Sequence, residues 1–412
     1  MVDRWFALHP DPDQLRRQAK ELLRDARRGD AAAVEEFHQH HPEAPSPVDA
    51  QLADAQLALA RSYGFPNWPH LLLSCRMTNA IWDDDTDTVR ALALRHPELV
   101  QHHSHRNWGP PMSFAANLGR GRIVTLLHDL GARDLAWAFD RACLQGRIDT
   151  ARQLYALGAR PAPGAVMGPC ETQNAAGLAL VLQLGAELTD AAGDPRAPVA
   201  MLLETYSRNP EGRRCCLELM AEQGVPLPDT PTMAVQRGRT DLLEAHLHRD
   251  PDLFTRTFGH REIYPPDLGC HADASLALHG TPLAGATLLH LCVDCDEIDI
   301  ARWMLDRGAD VDAKAAADAD GFGGHTALFG CVVAQPTNCA RQKDGAFTRL
   351  LLERGADPNA RASLRKRLRF IEDEAEHTYL GVTPTGWGQR FHNQRWVNPA
   401  ALALIAEAGG RP

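Results

Sequence analysis

The sequence repeats a phrase. "RWMLDRGADVDA" runs from Arg302 to Ala313, and "RLLLERGADPNA" begins 47 residues later, at Arg349. In both, apolar residues at helical spacing stop at a glycine, and a polar, extended tail follows. A helix with one apolar face must bury it. A phrase that recurs along the chain buries that face against a copy of itself, so the repetition is a stacking requirement.

The complete unit is "GATLLHLCVDCDEIDIARWMLDRGADVDA", Gly285 to Ala313. Leu288, Leu289 and Cys292 share one helical face; Ile298, Ala301, Met304 and Leu305 share another. "CDEID" between them is polar and turn-like. Gly308 stands where a helix C-cap needs positive φ. The grammar is helix, tight turn, helix, glycine stop. It recurs in Ser113–Ala132, Ala138–Ala159 and Met233–Leu247, and in stretches ending at Ala186 and Val225. The stops fall at 131, 158, 185, 224, 308, 355 and 409, the first ones 27 residues apart. Apolar residues make up 44% of the chain and aromatics only 6%, a bias that suits helices packed through small and branched side chains.

Gly-x-Thr-x-Leu-His followed by Gly-Ala-Asp-Val-Asp-Ala resembles the ankyrin repeat. Residues 286–313 carry that pattern, "GHTALFGC" (Gly324–Cys331) with "RLLLERGADPNA" carries it again, and "GVTPTGWG" (Gly381–Gly388) opens a third copy. The resemblance implies that Thr287 caps its helix and that His290 bridges backbone groups of the adjacent turn, a structural role. It also implies that Cys292, Cys331 and Gly388 occupy a position where only a small residue lets inner helices approach. Before residue 250 the likeness is confined to helix spacing and glycine stops, and 27-residue spacing leaves room only for bare helix pairs.

Residues 1–77 differ. "DPDQLRRQAKELLRDARRGDAAAVEEFHQHHP" has helical period with Pro12 near its start, and "DAQLALARSYGFPNWPHLLLSC" is a second pair. The block resembles the helical cap that precedes ankyrin repeats in bacterial proteins, with Phe65 and Trp68 plugging the open end of the stack. The degenerate pairs then occupy 78–249, an irregular insertion 250–284, and the clearer repeats 285–412, lengthened at 314–323, 335–345 and 361–380. The last of these, with Arg361, Arg365, Lys366, Arg367 and Arg369 followed by Glu372, Asp373, Glu374 and Glu376, reads as a solvated, self-compensating charged helix. Long excursions on one face of a repeat array are where function is added.

Catalytic and metal signatures are weak. Cys292-Val-Asp-Cys295, with Cys270, His271 and His290, has the residue types of a zinc site but no second ligand pair at the right spacing. "DADGFGG" (Asp318–Gly324) lacks the glutamate of a calcium loop and the Gly-Lys-Ser/Thr of a phosphate loop. "HQHH" (His38, His40, His41) and "HHSH" (His102, His103, His105) sit at helix ends, where the dipole favours them. No nucleophile elbow appears. The formal charge of −10, with no basic face, argues against nucleic acid. No apolar stretch reaches the roughly 18 residues of a membrane helix. The N-terminal stretch lacks an apolar signal core and the cysteines lack disulfide density, so the expected setting is the reducing cytoplasm.

The expectation is therefore an all-α, ankyrin-like solenoid of about eight or nine helix pairs that recognises a protein segment without catalysis, metal or cofactor. It would be a monomer or a weakly self-associating chain. The expected contacts are Asp310, Asp312, Asp318, Asp320, Phe322 and His325 on one finger, and Trp387, Arg390 and His392 on the last repeat, since Trp and Arg dominate interface hot spots. Net acidity favours a basic or amphipathic partner. The alternative is an enzyme or small-molecule sensor whose pocket is closed by 250–284 and 387–396. Its mark would be a deep pocket lined by His271, His279, His325 or His392 beside a perturbed carboxylate.

Overall fold

The computed structural model describes residues 4–43, 45–46, 48–103, 108–276, 278–334, 344–369, 371 and 373–412. His105, Glu372 and all of the 335–345 insertion except its last two residues lie outside them. The chain divides into two compact units, one running to Ala162 with Gln183–Gly185, the other Pro163–Leu182 with Ala186–Pro412. Both are built mostly of helices, and no helix among the described residues is long and apolar enough to cross a membrane.

The first unit holds α1 (Pro12–Arg27), α2 (Ala31–His40), α3 (Leu52–Ser62), α4 (Trp68–Trp82), α5 (Thr86–Arg95), α6 (Pro111–Leu118), α7 (Gly121–Asp129), α8 (Leu135–Leu144) and α9 (Ile148–Ala156). Asp11 caps α1 and Pro12 opens it, as the sequence requires. α1, α2 and α3 pack on one another around Leu15, Ala19, Leu22 and Leu59. Phe65 is buried edge-on against Phe6, with ring centroids 4.9 Å apart, and stacks on His102. Next come the pairs α4–α5, α6–α7 and α8–α9. First helices stack on first helices and second on second. Only five residues, 130–134, join α7 to α8, too few for a finger.

The second unit holds α10 (Met167–Glu171), α11 (Ala175–Gln183), α12 (Ala197–Glu204), α13 (Pro210–Glu222), α14 (Pro231–Gln236), α15 (Thr240–Arg249), α16 (His260–Ile263), α17 (Leu288–Asp294), α18 (Ile298–Asp306), α19 (Ala327–Val332) and α20 (Ala346–Glu353). Strands β1 (Ala362–Arg367) and β2 (Glu376–Val382) follow, then α21 (Pro384–Arg390) and α22 (Pro399–Glu407). α14, α17, α19 and α21 pack in succession, and α15, α18, α20 and α22 are their respective second helices. Every expected glycine stop has a left-handed φ, from 85° to 112°. The residue after each stop donates its amide to the carbonyl five back, as Ala309 does to Met304 and Ala356 to Leu351, which closes the helix end.

In place of the charged helix expected over 361–380, Ala362–Arg367 and Glu376–Val382 form an antiparallel pair, with Leu364 opposite Tyr379, Lys366 opposite His377 and Arg367 opposite Glu376. Ala362, Leu364 and Lys366 are buried while Arg367 is exposed, a period of two that a helix does not produce. Lys366, expected in solvent, is only 6% exposed.

Close approach of the first helices depends on small residues. Cys292 and Cys331 are buried, and a Cβ on Gly388 would lie 2.5 Å from Val332 Cγ1 and 3.1 Å from Leu402 Cδ2. Gly388→Leu is expected to lower unfolding stability by about 1–3 kcal/mol, the usual cost of overpacking. Urea denaturation checks it. An unchanged midpoint would mean that the helices do not meet there.

Candidate functional site

Thr287 and His290 open the α17 unit as a reciprocal cap. His290 Nδ1 lies 2.9 Å from Thr287 Oγ1 and accepts from the Thr287 amide, while its Nε2 donates to the His325 carbonyl at 2.9 Å. His325 in turn donates from Nε2 to the Pro282 carbonyl, and its ring meets that of His290 edge-on at 5.1 Å. Both imidazoles are buried; burial drives His290 down to about 4, and burial plus the neighbouring His290 drives His325 to about 3. His325 was expected as a finger contact. At 1% exposure it is an interior residue that a protein partner does not reach.

The repeated Gly-Ala-Asp-x-Asp/Asn tail now has a physical meaning. Asp310 Oδ1 accepts from the Asp312 amide at 2.9 Å, and Asp357 Oδ1 accepts from the Asn359 amide at 2.8 Å, so the first acid shapes its own turn. The third residue reaches the next tail. Asp312 Oδ1 accepts from the Asp357 amide at 3.0 Å, and Asn359 Oδ1 accepts from the Arg411 amide at 2.9 Å. Asp312 is therefore a half-buried tie between tails, and burial first of all lifts its carboxyl above the usual range. Asp310 is exposed.

Between α18 and α19, Asp318 Oδ1 accepts from the amides of Phe322 (2.9 Å) and Asp320 (3.0 Å), forming a tight turn. Those bonds, together with Arg365, hold the Asp318 carboxyl below its usual range. Arg365 on β1 pairs with Asp318 at 2.6 Å and Asp320 at 3.1 Å, and its guanidinium lies 5.0 Å from the Phe322 ring centroid. The Gly323 amide donates to the Ser363 carbonyl at 2.7 Å. Three of the expected contacts, Asp318, Asp320 and Phe322, thus form one cluster. It is completed by an arginine that the charge-run reading had left in solvent. "HTYLGV", rich in aromatic and β-branched residues, was the available sign of a strand.

The last pair separates the other three candidates. Trp387 is wholly buried, its Nε1 donating to Thr281 Oγ1 at 3.2 Å and its ring against Tyr379 and Phe391, so it is core and not a surface anchor. Arg390 is exposed. His392 is half-buried, with Nδ1 2.7 Å from the Tyr379 hydroxyl and its ring stacked on His377 at 4.1 Å.

A cavity of about 300 Å³ lies among Ala274 and the 279–284 stretch, the 316–325 loop and β1. His279, His325, Phe322, Leu364 and Lys366 are among its walls. From the 250–284 insertion, Ala274, His279, Pro282, Leu283 and Ala284 line it, whereas Trp387, Arg390 and His392 do not; β1 stands where 387–396 was expected. Nor does His271, exposed and paired with Glu204 at 2.9 Å, reach it. Burial pushes the Lys366 ammonium down to about 8 and His279 well below the imidazole range. The carboxylate felt by Lys366 is Asp294, which Arg208 already holds at 3.2 Å.

The cysteines among the remaining candidates are packed into the fold, while His103 and His38 are exposed. Cys292 Sγ lies 4.0 Å from Met304 Sδ, and Cys295 Sγ lies 3.5 Å from Gln236 Oε1. His41 faces Asp54 at 3.3 Å, His102 stacks with Phe65, and His103 meets Trp137 edge-on at 5.0 Å. Among the described residues, no group of three or more His, Cys, Asp or Glu is placed to hold a metal ion.

Residues 284–316 match the family model of the Ankyrin repeat. The stretch contains the Thr287–His290 cap, the Gly308 stop and the Asp310–Asp312 tail. An ankyrin repeat is a protein–protein interaction module. No curated protein matches the chain.

The buried imidazole pair dictates a pH response. Their folded pKa values lie below the ordinary 6.5 or so, so the unfolded chain binds protons first as pH falls. Their contribution is complete above about pH 6.5, declines below it and is lost as pH falls through the folded values, roughly 3–5 kcal/mol per imidazole. Unfolding temperature is expected to fall between pH 7 and pH 4.5, and a His290→Gln/His325→Gln variant should show a flatter profile despite lower stability at pH 7. Parallel profiles would contradict the assignment.

Proposed function

We propose that the chain is a non-catalytic protein-recognition scaffold. In this reading an acidic finger surface in the C-terminal repeats takes a basic or amphipathic protein segment. The observation that carries it is the braced loop between α18 and α19. Asp318, Asp320, Phe322 and Arg365 fix one another, while Asp310 and Arg390 remain exposed. A pre-organised surface loses little entropy on binding, and charge selects the partner. Trp387, His325 and Asp312 are removed from the contact set by their interior or tying roles, and His392 is secondary.

The repeat grammar extends the reading. The pairs in 78–249 are ankyrin-like units without fingers, giving eight or nine with those of 285–412, and residues 1–77 act as a cap. The partner is a protein, with neither nucleic acid nor a membrane involved, and the setting is cytoplasmic.

The test is affinity capture on the full chain and on Asp310→Lys/Phe322→Ala/Arg390→Ala, with circular dichroism to verify helix content. The expected result is at least one protein retained by the parent and lost from the folded variant. Identical retained sets would overturn the reading.

A further inference from the structure

We propose that the cavity bounded by Ala274 and the 279–284 stretch, the 316–325 loop and β1 binds a small molecule with an apolar body and one carboxylate, which pairs with Lys366. This goes beyond protein recognition and stands on separate observations.

Size comes first. At about 300 Å³ the space is at the small end of ligand pockets, whereas two other cavities, of about 20 and 10 Å³, have room for little more than one water. The walls come next. Pro282, Leu283, Phe322 and Leu364 give an apolar body a surface to cover.

Charge decides the ligand class. Lys366 lines the cavity at 6% exposure, and among the described residues it makes no hydrogen bond or ion pair. A buried ammonium in that condition is costly. Of the nearby carboxylates, Asp294 is ion-paired with Arg208, Asp318 and Asp320 are ion-paired with Arg365, and Glu376, on the same wall but exposed, lies opposite Arg367 in the strand register; none makes an ion pair with Lys366 among the described residues. His279 and His325 also line the space but are held neutral by burial, so they neither compensate Lys366 nor attract a cation. A single anionic group supplies the missing partner, and a carboxylate does so with a charge-assisted hydrogen bond. A cationic ligand would meet the same ammonium and be repelled.

The test uses calorimetric titration of the full chain with benzoate and hexanoate as probes, and benzamide and benzylamine as neutral and cationic counterparts. Saturable one-site binding of a carboxylate is expected, weaker by at least about tenfold in Lys366→Met, with benzamide much weaker and benzylamine silent. Ala316→Trp, at the cavity edge, keeps Lys366 and is expected to block the probe by filling the space. It keeps the proposal falsifiable should Lys366→Met not fold. Absence of saturation with both carboxylates overturns the proposal. So does equal binding of benzylamine, or parent-like affinity in whichever variant folds.

Discussion

Side chains of one repeat hold the backbone of the next. Asp312 accepts the amide of Asp357, Asn359 accepts the amide of Arg411, and His290 donates to the carbonyl of His325. Each contact spans one repeat, and each joins a side chain to a backbone group of the next; the His325 carbonyl also accepts from the Ala315 amide. A hydrogen bond of this kind contributes about 0.5–1.5 kcal/mol net. These ties set the positions of successive tails, and the 316–325 loop between them inherits its place from both sides. The apolar faces of α17, α19 and α21 drive the stacking, but they specify no register finer than van der Waals contact.

The interior also carries charge. Arg213, 2% exposed, pairs at 2.6 Å with Glu297, which is fully buried, and it donates to the Cys295 carbonyl. Arg208 is tied to the Asp294 carboxylate and to four carbonyls. In both, removal of one partner would strand a buried charge. Lys366 stands apart from them because its ammonium borders a cavity. The same strand presents Arg365 to the finger, so one short sheet braces the candidate recognition surface and walls the candidate ligand site.

What the sequence disclosed follows from what each residue type can do alone. Gly308, Gly355 and the other stops were legible because a left-handed C-cap excludes nearly every other residue. The structural role of His290 was legible through the resemblance to the ankyrin repeat, and the Thr287 cap through residue type. Trp387 and His325 were misplaced because residue type does not report exposure: Trp387 is enclosed by Tyr379 and Phe391, and His325 by the cap it joins. The 361–380 segment was misread by composition. Its charges suggested a solvated helix, while the alternation of Ala362, Leu364 and Lys366 against Ser363, Arg365 and Arg367 was the strand signal. A pocket beside the 250–284 insertion with His279 and His325 on its walls was anticipated, but the share of β1, and with it Lys366, was not, because the walls come from three segments remote in sequence.

The account stands on the ties between successive tails. Amide hydrogen exchange at Asp357 and Arg411 measures them directly, in the parent, in Asp312→Ala and in Asn359→Ala. The account predicts that Asp312→Ala strips protection from Asp357 alone and Asn359→Ala from Arg411 alone, with the helices between them still protected. Unchanged exchange at both amides would show that the tails are held by helix packing, and the central claim would fail.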